Sequence, residues 1–275
     1  MTNHLLTLND GRSMPALGLG VWQIPAKETA SAVRQAINLG YRLVDGAARY
    51  GNEAGLGQGV RDADVPRDRI FVTSKLWNDA QGFDSALRAF DATMQRLGLD
   101  YLDLYLVHWP LPSAGLYVET WEALIRLRDE GRVRSIGVAN FHKAHLDRLV
   151  AETGVVPAVN QIELHPALAQ RDLRRAHQRM NIVTQCWTPL GGGQDFGAPE
   201  VAAIARRLGA SPAQVILAWE LQQGLSAIPK SSKPERMAEN LAAQDVVLSG
   251  EDMAALDSLD RGARTGPDPD SFDLR

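Results

Sequence analysis

The chain has 275 residues, of which 45% are hydrophobic and 23% charged, and its formal net charge is -4. This is ordinary globular composition, and with 1 cysteine, Cys186, it excludes a disordered, collagenous or disulfide-built chain. A mildly negative chain has no electrostatic call for a polyanion, and no stretch approaches the ~18 apolar residues of a membrane span, so neither a nucleic acid nor a membrane is an expected partner. The first residues show no basic segment leading into an apolar run, so a cytoplasmic location is expected.

Residues 4–16 read as a hairpin, because Leu5, Leu6 and Leu8 precede the turn triplet Asn9-Asp10-Gly11. Short apolar runs then alternate with segments of helical period. The runs are 17–21, 41–44, 70–73, 102–109, 135–138, 158–162, 182–187 and 225–228, which makes eight candidate strands. Helices are expected at 28–39, 84–97, 117–129, 143–153 and 171–180. They stop at Gly40, Gly98, Gly131, Gly154 and Asn181, residues suited to the left-handed position after a helix. Residues 199–223 read as two helices broken at Ser211-Pro212, where Ser caps and Pro takes the first turn. Segment 234–244 starts the same way after Ser232, and 250–259 is a last helix.

Strict alternation of strand and helix dictates parallel strands with right-handed crossovers. Eight such units predict an α/β fold, a single (β/α)8 TIM barrel covering 1–275, with an N-terminal β-hairpin and an extra C-terminal helix. An open doubly wound sheet would carry G-x-G-x-x-G after its first strand. Gly55, Gly57 and Gly59 lie instead inside a helical segment and read as close helix packing.

In such a barrel the chemistry gathers at the C-terminal ends of the strands. The polar residues expected there are Asp45, with Tyr50 in the next loop, then Ser74 and Lys75, His108, Asn140, Gln161 or Glu163, and Lys230 and Ser231. Each alone has a plain structural reading: a cap, a half-buried ring, a snorkelling chain or a satisfied core histidine. Together, a carboxylate, a phenol, a lysine and an imidazole at one mouth make a proton-transfer site. The lysine cation would pull the tyrosine pKa down from ~10, and the carboxylate would keep the lysine charged. Lysine is scarce in this chain, yet Lys230 and Lys233 fall together where Ser232-Lys233-Pro234 opens a helix, with Arg236 about one turn in. That is a ready anion site. Trp22, Trp77 and Trp109 flank the mouth as an apolar wall, and Trp121 and Trp219 read as core. His142 and His145, with Lys143 and Asp147, read as a solvated helix start, so no metal is expected. Cys186 is read as buried and inert.

Several blocks resemble the aldo-keto reductase family. Val44-Asp45-Gly46-Ala47-Ala48-Arg49-Tyr50-Gly51-Asn52-Glu53 is similar to the signature around its catalytic tyrosine. Asp103-Leu104-Tyr105-Leu106-Val107-His108-Trp109-Pro110 resembles the fourth-strand signature. Gly137-Val138-Ala139-Asn140-Phe141, Val159-Asn160-Gln161-Ile162-Glu163-Leu164-His165-Pro166 and Ile228-Pro229-Lys230-Ser231 resemble further blocks in the right order. The likeness covers nearly the whole chain, which resembles bacterial 2,5-diketo-D-gluconate reductases in particular.

The resemblance implies NADPH-dependent reduction of an aldehyde or ketone, with 2,5-diketo-D-gluconate or another small dicarbonyl as substrate. By position it implies Tyr50 as general acid, Lys75 as its partner, Asp45 as support for Lys75, and His108 as the group that orients the carbonyl. Trp187 would stack on the nicotinamide, and Asn140 and Gln161 would hold its carboxamide. Thr188, Pro189, Leu190 and Gly191 would contact the cofactor. Lys230, Ser231, Ser232 and Arg236 would grip the 2′-phosphate, with Glu239 and Asn240 near adenine. Trp22, Trp77, His108 and Trp109 would meet substrate. A monomer is expected. Two positions depart from the family pattern: Gly46 stands where Thr is usual, and Ala139 where Ser is usual. They leave open a second reading, an NADP(H)-binding barrel of low turnover that acts as a regulatory or structural subunit. A metal-dependent barrel hydrolase is a third, weakened by the absence of a His-x-His pair.

Overall fold

The computed structural model describes residues 4–275. Helical periodicity accounts for its outer layer. Helix α1 (Ala26–Leu39) buries Thr29, Ala32, Val33, Ala36 and Ile37, the spacing of one helical face. The other helices are α2 (Glu53–Arg61), α3 (Phe83–Leu97), α4 (Tyr117–Asp129), α5 (Lys143–Thr153), α6 (Arg171–Met180), α7 (Pro199–Leu208), α8 (Pro212–Gln222), α9 (Pro234–Leu241) and α10 (Gly250–Asp257). Ser211 and Gln214 form a reciprocal cap: Gln214 N–H donates to Ser211 Oγ at 3.2 Å, and Ser211 N–H donates to Gln214 Oε1 at 2.9 Å. The expected helix at 234–244 is shorter. It gives way to a 3₁₀ turn at Ala242–Asp245.

Strands β1 (Leu5–Thr7) and β2 (Ser13–Pro15) pair antiparallel. Eight further strands follow in chain order: β3 (Leu19–Gly20), β4 (Leu43–Asp45), β5 (Phe71–Leu76), β6 (Leu102–Val107), β7 (Val133–Ala139), β8 (Val159–Glu163), β9 (Val183–Trp187) and β10 (Ser226–Ala227). Each is parallel to its neighbour, and spatial order equals chain order. The sheet curls until its edges meet, through the parallel bridges Leu17 to Ala227 and Gly20 to Lys230. The closing strands are only two residues long. A Cβ at Gly20 would stand 2.8 Å from the Ile228 carbonyl oxygen, so the backbones there approach too closely for a side chain.

Strand alternation sorts the core into two layers. Val44, Val72, Tyr105, Val107 and Val138 face the helices. Leu43, Phe71, Leu104, Leu106, Ala139 and Val159 form a separate inner cluster with Leu8 and Met14 of the hairpin. The hairpin turn sits by the strand starts, where Asn9 Nδ2 donates to the Pro157 carbonyl at 2.9 Å and Ser135 Oγ donates to Asp10 at 2.6 Å. The period of two then aims Asp45, two beyond Leu43, and His108, two beyond Leu106, at the opposite end of the same interior.

The three glycines of α2 are packing glycines. A Cβ at Gly57 would lie 1.8 Å from the Leu97 carbonyl oxygen, and one at Gly59 2.5 Å from the Ala30 carbonyl oxygen. Gly57→Ala therefore forces α2 and α3 apart. A loss of about 1–3 kcal/mol is expected, the usual scale of overpacking. Urea denaturation measures it, and an unchanged midpoint would refute the close approach.

Candidate active site

Asp45 ends β4, and Lys75 lies in β5 one position before its end. Lys75 is wholly buried, and its Nζ donates to Asp45 Oδ2 at 2.6 Å, to the Gly46 carbonyl at 2.8 Å and to Tyr50 Oη at 3.3 Å. Those three bonds use all of an ammonium's protons. Tyr50 sits on a 3₁₀ turn, Ala48–Tyr50. The turn is tied down just beyond. Asn52 Nδ2 donates to the carbonyls of Val21 and Ile24 at 2.9 and 3.1 Å. The buried Glu53 accepts from Ser74 Oγ at 2.5 Å and from Arg96 Nε at 2.6 Å. A Cβ at Gly46 would stand 2.6 Å from Leu56 Cδ1, so a side chain there would require the tip of Leu56 to shift. His108 follows β6, edge-on to Tyr50 at 5.8 Å and to Trp77 at 5.1 Å between ring centroids. Its Nδ1 is buried and has no hydrogen-bond partner among the described residues.

The electrostatics divide these groups. Burial pushes the Lys75 ammonium toward deprotonation, but Asp45 and then Tyr50 outweigh it, so its pKa ends above the usual value. Burial, and then the charges of Lys75 and Arg49, hold His108 well below the imidazole range, so the ring is neutral. The expected lowering of Tyr50 does not hold. Lys75 does act in that direction, but loss of water around the phenol is larger, and the net shift is upward from 10.0. The phenol is protonated at neutral pH.

The remaining sequence candidates fall into two groups. Gln161 (β8) spends its amide donors on Asp45 Oδ1 at 2.8 Å and on Gln185 Oε1 at 2.7 Å. Asn140 follows β7 with φ of 63°, and its Nδ2 donates to the His108 carbonyl at 2.9 Å. Trp187 ends β9, and its Nε1 donates to Asn140 Oδ1 at 2.7 Å. Thr188, Pro189 and Leu190 lead into a 3₁₀ turn at Gly191–Gly193. The second group lies around the start of α9. Ser231 is buried and its Oγ accepts the Lys233 N–H at 3.1 Å, while Lys230, Ser232, Lys233 and Arg236 are exposed. None of those cations has an anionic partner among the described residues. Asn240 is buried and Glu239 half-buried.

Of the expected apolar wall, Trp77 and Trp109 are half-buried and buried, while Trp22 is 51% exposed. The sequence reading missed Phe272. It stacks tilted on Trp109 at 4.2 Å and edge-on to Trp77 at 6.5 Å. The segment carrying it follows α10 with no helix or strand, held by Asn78 Nδ2 to the Leu274 carbonyl at 2.7 Å and by Ser113 Oγ to Asp273 at 2.7 Å. The one legible signal was an aromatic ring in an otherwise polar stretch. A cavity of about 670 Å³ lies beside the Tyr50 turn, lined by Arg49, Glu53, Trp77, Arg96 and Arg275 among others. Its lining includes none of Tyr50, His108, Asn140 or Trp187, so it is not the mouth. The helix start at His142 is less solvated than expected. His145 is buried, and Asp270 of the same C-terminal segment meets His142 Nδ1 at 2.9 Å and His145 Nε2 at 3.4 Å. His142, Asp268 and Asp270 bring ligand-type atoms within 4.8 Å of one another, and both acids are exposed. No helix among the described residues is long and apolar enough to cross a membrane.

Comparison with known proteins supplies the context. A family model described as the aldo/keto reductase family matches residues 15–261. An aldo-keto reductase of Mycolicibacterium smegmatis is 52% identical, with 98% of each chain covered. Methylglyoxal reductase DkgA of Yersinia pestis is 47% identical, over 98% of this chain and 97% of that one. A crystal structure of a Gox0644 mutant in complex with NADPH superposes with a TM-score of 0.95 at 48% identity, with 99% of each chain covered.

The raised Tyr50 pKa has a direct readout. An ultraviolet difference titration of wild type against Tyr50→Phe is expected to show the Tyr50 phenolate forming only above pH 10. Lys75→Met, which removes the lowering charge, is expected to move it higher still. A midpoint below 10 in wild type would mean that Lys75 outweighs burial.

Proposed function

The chain belongs to the aldo/keto reductase family, and on that premise we propose that it reduces small aldehydes and ketones to alcohols with NADPH. The observation that carries this reading is the buried array of Asp45, Lys75 and Tyr50 beside a neutral His108.

NADPH, when bound, supplies the hydride that goes to the carbonyl carbon. The protein supplies the rest. Tyr50 donates its phenolic proton to the carbonyl oxygen as the π electron pair moves onto that oxygen. Lys75, held charged by Asp45, stabilises the phenolate left behind. A neutral His108 donates one ring N–H to the same oxygen without competing as an acid. Trp77, Trp109 and Phe272 give the substrate an apolar wall, which suits a small carbonyl compound. The relative named as a methylglyoxal reductase makes small dicarbonyls, 2,5-diketo-D-gluconate among them, the first to assay.

The residues fit the cofactor on their own chemistry. Lys230, Lys233 and Arg236 are exposed cations with no anion among the described residues to neutralise them, gathered where α9 begins. With Ser231 and Ser232 they would hold the 2′-phosphate, and Glu239 and Asn240 would lie by the adenine. Asn140, with one amide proton unspent, and Gln161, with its Oε1, would meet the carboxamide. Trp187 would offer its ring face to the nicotinamide.

Two experiments test the reading. Tyr50→Phe keeps the ring and removes the proton, so kcat is expected to fall at least ~10²-fold with NADPH affinity little changed. Near-normal turnover of an unactivated ketone would remove Tyr50 from the role. Wild-type reduction needs the protonated phenol, so its rate is expected to hold through neutral pH and decline only as Tyr50 ionises. Separately, Arg236→Ala is expected to weaken NADPH binding roughly 10- to 100-fold and leave NADH nearly untouched. Equal losses for both cofactors, or none, would remove the 2′-phosphate grip.

A further inference from the structure

Glu163 ends β8 at the mouth, yet the reduction described above gives it no task. It is fully buried and its carboxylate is crowded with partners. Oε1 accepts from the Thr265 N–H at 2.6 Å and from Thr265 Oγ1 at 2.5 Å. Oε2 accepts from the Gly266 N–H at 3.1 Å and faces Arg264 Nη1 at 3.5 Å. His165 Nε2 completes the set, 3.3 Å from Oε1. Three successive residues of the C-terminal segment thus converge on one carboxylate. Burial pushes the Glu163 carboxyl up, but the hydrogen bonds from His165, Thr265 and Gly266 together bring it down to about 2, so it is an anion at neutral pH.

The fastened segment presses on one ring. Glu163 and Trp187 are register partners across β8 and β9. A Cβ at Gly266 would stand 2.5 Å from Cη2 of Trp187 and 3.3 Å from Glu163 Oε2, so the bare backbone of Gly266 lies against the tip of the indole. Further along the same edge of the indole, Nε1 donates to Asn140 Oδ1. One edge of the ring therefore meets both the C-terminal segment and the residue that follows β7.

We propose that Glu163 is a positioning residue for the nicotinamide pocket: by anchoring residues 264–266 it holds Gly266 against Trp187 and so fixes the placement of both Trp187 and Asn140. The proposal rests on the reading that these two residues meet the nicotinamide. It assigns Glu163 no contact with cofactor or substrate. Its action passes through the backbone of residues that lie more than a hundred positions further along the chain.

The test compares two probes, NADPH and adenosine 2′,5′-bisphosphate, which carries the phosphate end of the cofactor and no nicotinamide. Glu163→Gln removes the charge, Thr265→Val removes one of its bonds, and Gly266→Ala drives a methyl group into the indole. By calorimetric titration each variant is expected to bind NADPH about tenfold more weakly, equivalent to ~1.4 kcal/mol. The bisphosphate is expected to bind all of them as it binds wild type. The near-ultraviolet circular dichroism band that Trp187→Phe removes from wild type is expected to change in each variant, which a loss of general stability would not produce in a folded protein. Unchanged NADPH affinity with an unchanged Trp187 band would overturn the proposal, and so would equal losses for both probes. Trp187→Phe separates the premises. If it leaves NADPH binding intact, the nicotinamide reading falls and the proposal with it. If it weakens NADPH binding while the three variants do not, the anchor alone falls.

Discussion

A buried ion pair organises this mouth. Lys75 and Asp45 are 0% and 2% exposed at their side chains, so both charges have left water. Such a pair is tolerable only when the remaining lone pairs and protons are also satisfied. Here they are. Lys75 spends its three protons on Asp45, Gly46 and Tyr50, and the second oxygen of Asp45 accepts from Gln161. Gln161 then donates to Gln185, and Gln185 Nε2 donates to Ser226 Oγ at 3.0 Å. One polar chain therefore crosses the interior from β5 through β4, β8 and β9 to β10. It ties the charge pair to strands from opposite sides of the sheet, so the position of Tyr50 depends on the barrel as a whole.

The same physics gives buried groups opposite states according to the company they keep. Glu163, with five polar contacts from four residues, is held ionised. Glu220 is equally buried, but neither of its oxygens has a hydrogen-bond partner among the described residues, and burial pushes its carboxyl well above the ordinary range, so it is neutral. Cys186 is pushed up too, by burial, and stays a thiol. His108 loses its charge to burial and to nearby cations, while Lys75 keeps its charge because a carboxylate is 2.6 Å away. The mouth thus presents a neutral acid, a neutral imidazole and one fixed cation. That is the division of labour a proton donation to a carbonyl oxygen requires.

The barrel was legible because its signals are local. Period-two runs, helical faces and Gly or Asn stops each act within a few residues, and Tyr117–Asp129, Lys143–Thr153 and Arg171–Met180 fall where periodicity puts them. Closure was less so. The edge strands β3 and β10 are two residues each, and their pairing depends on backbones that approach across the whole chain. Asp45, Lys75 and His108 could be aimed from strand alternation alone. The sign of the Tyr50 shift could not, because it is a contest between a charge and the loss of water, and the depth of burial is not written in the neighbours along the chain. Phe272 was invisible for a related reason: an aromatic ring in a segment without periodicity has no face until something folds beneath it.

The C-terminal segment has a consequence for how the mouth is made. Its contacts, Glu163 to Thr265, Asn78 to Leu274 and Trp109 to Phe272, each span more than a hundred residues of chain. The segment follows every strand of the barrel, so during synthesis from the N-terminus it emerges after all of them. The barrel and its ion pair can therefore be in place while Trp109 is still open to solvent and Trp187 still without Gly266 at its edge. Completion of the mouth is then a later event than closure of the barrel, and a cut ahead of Arg264 would undo the first while leaving every strand of the second in place.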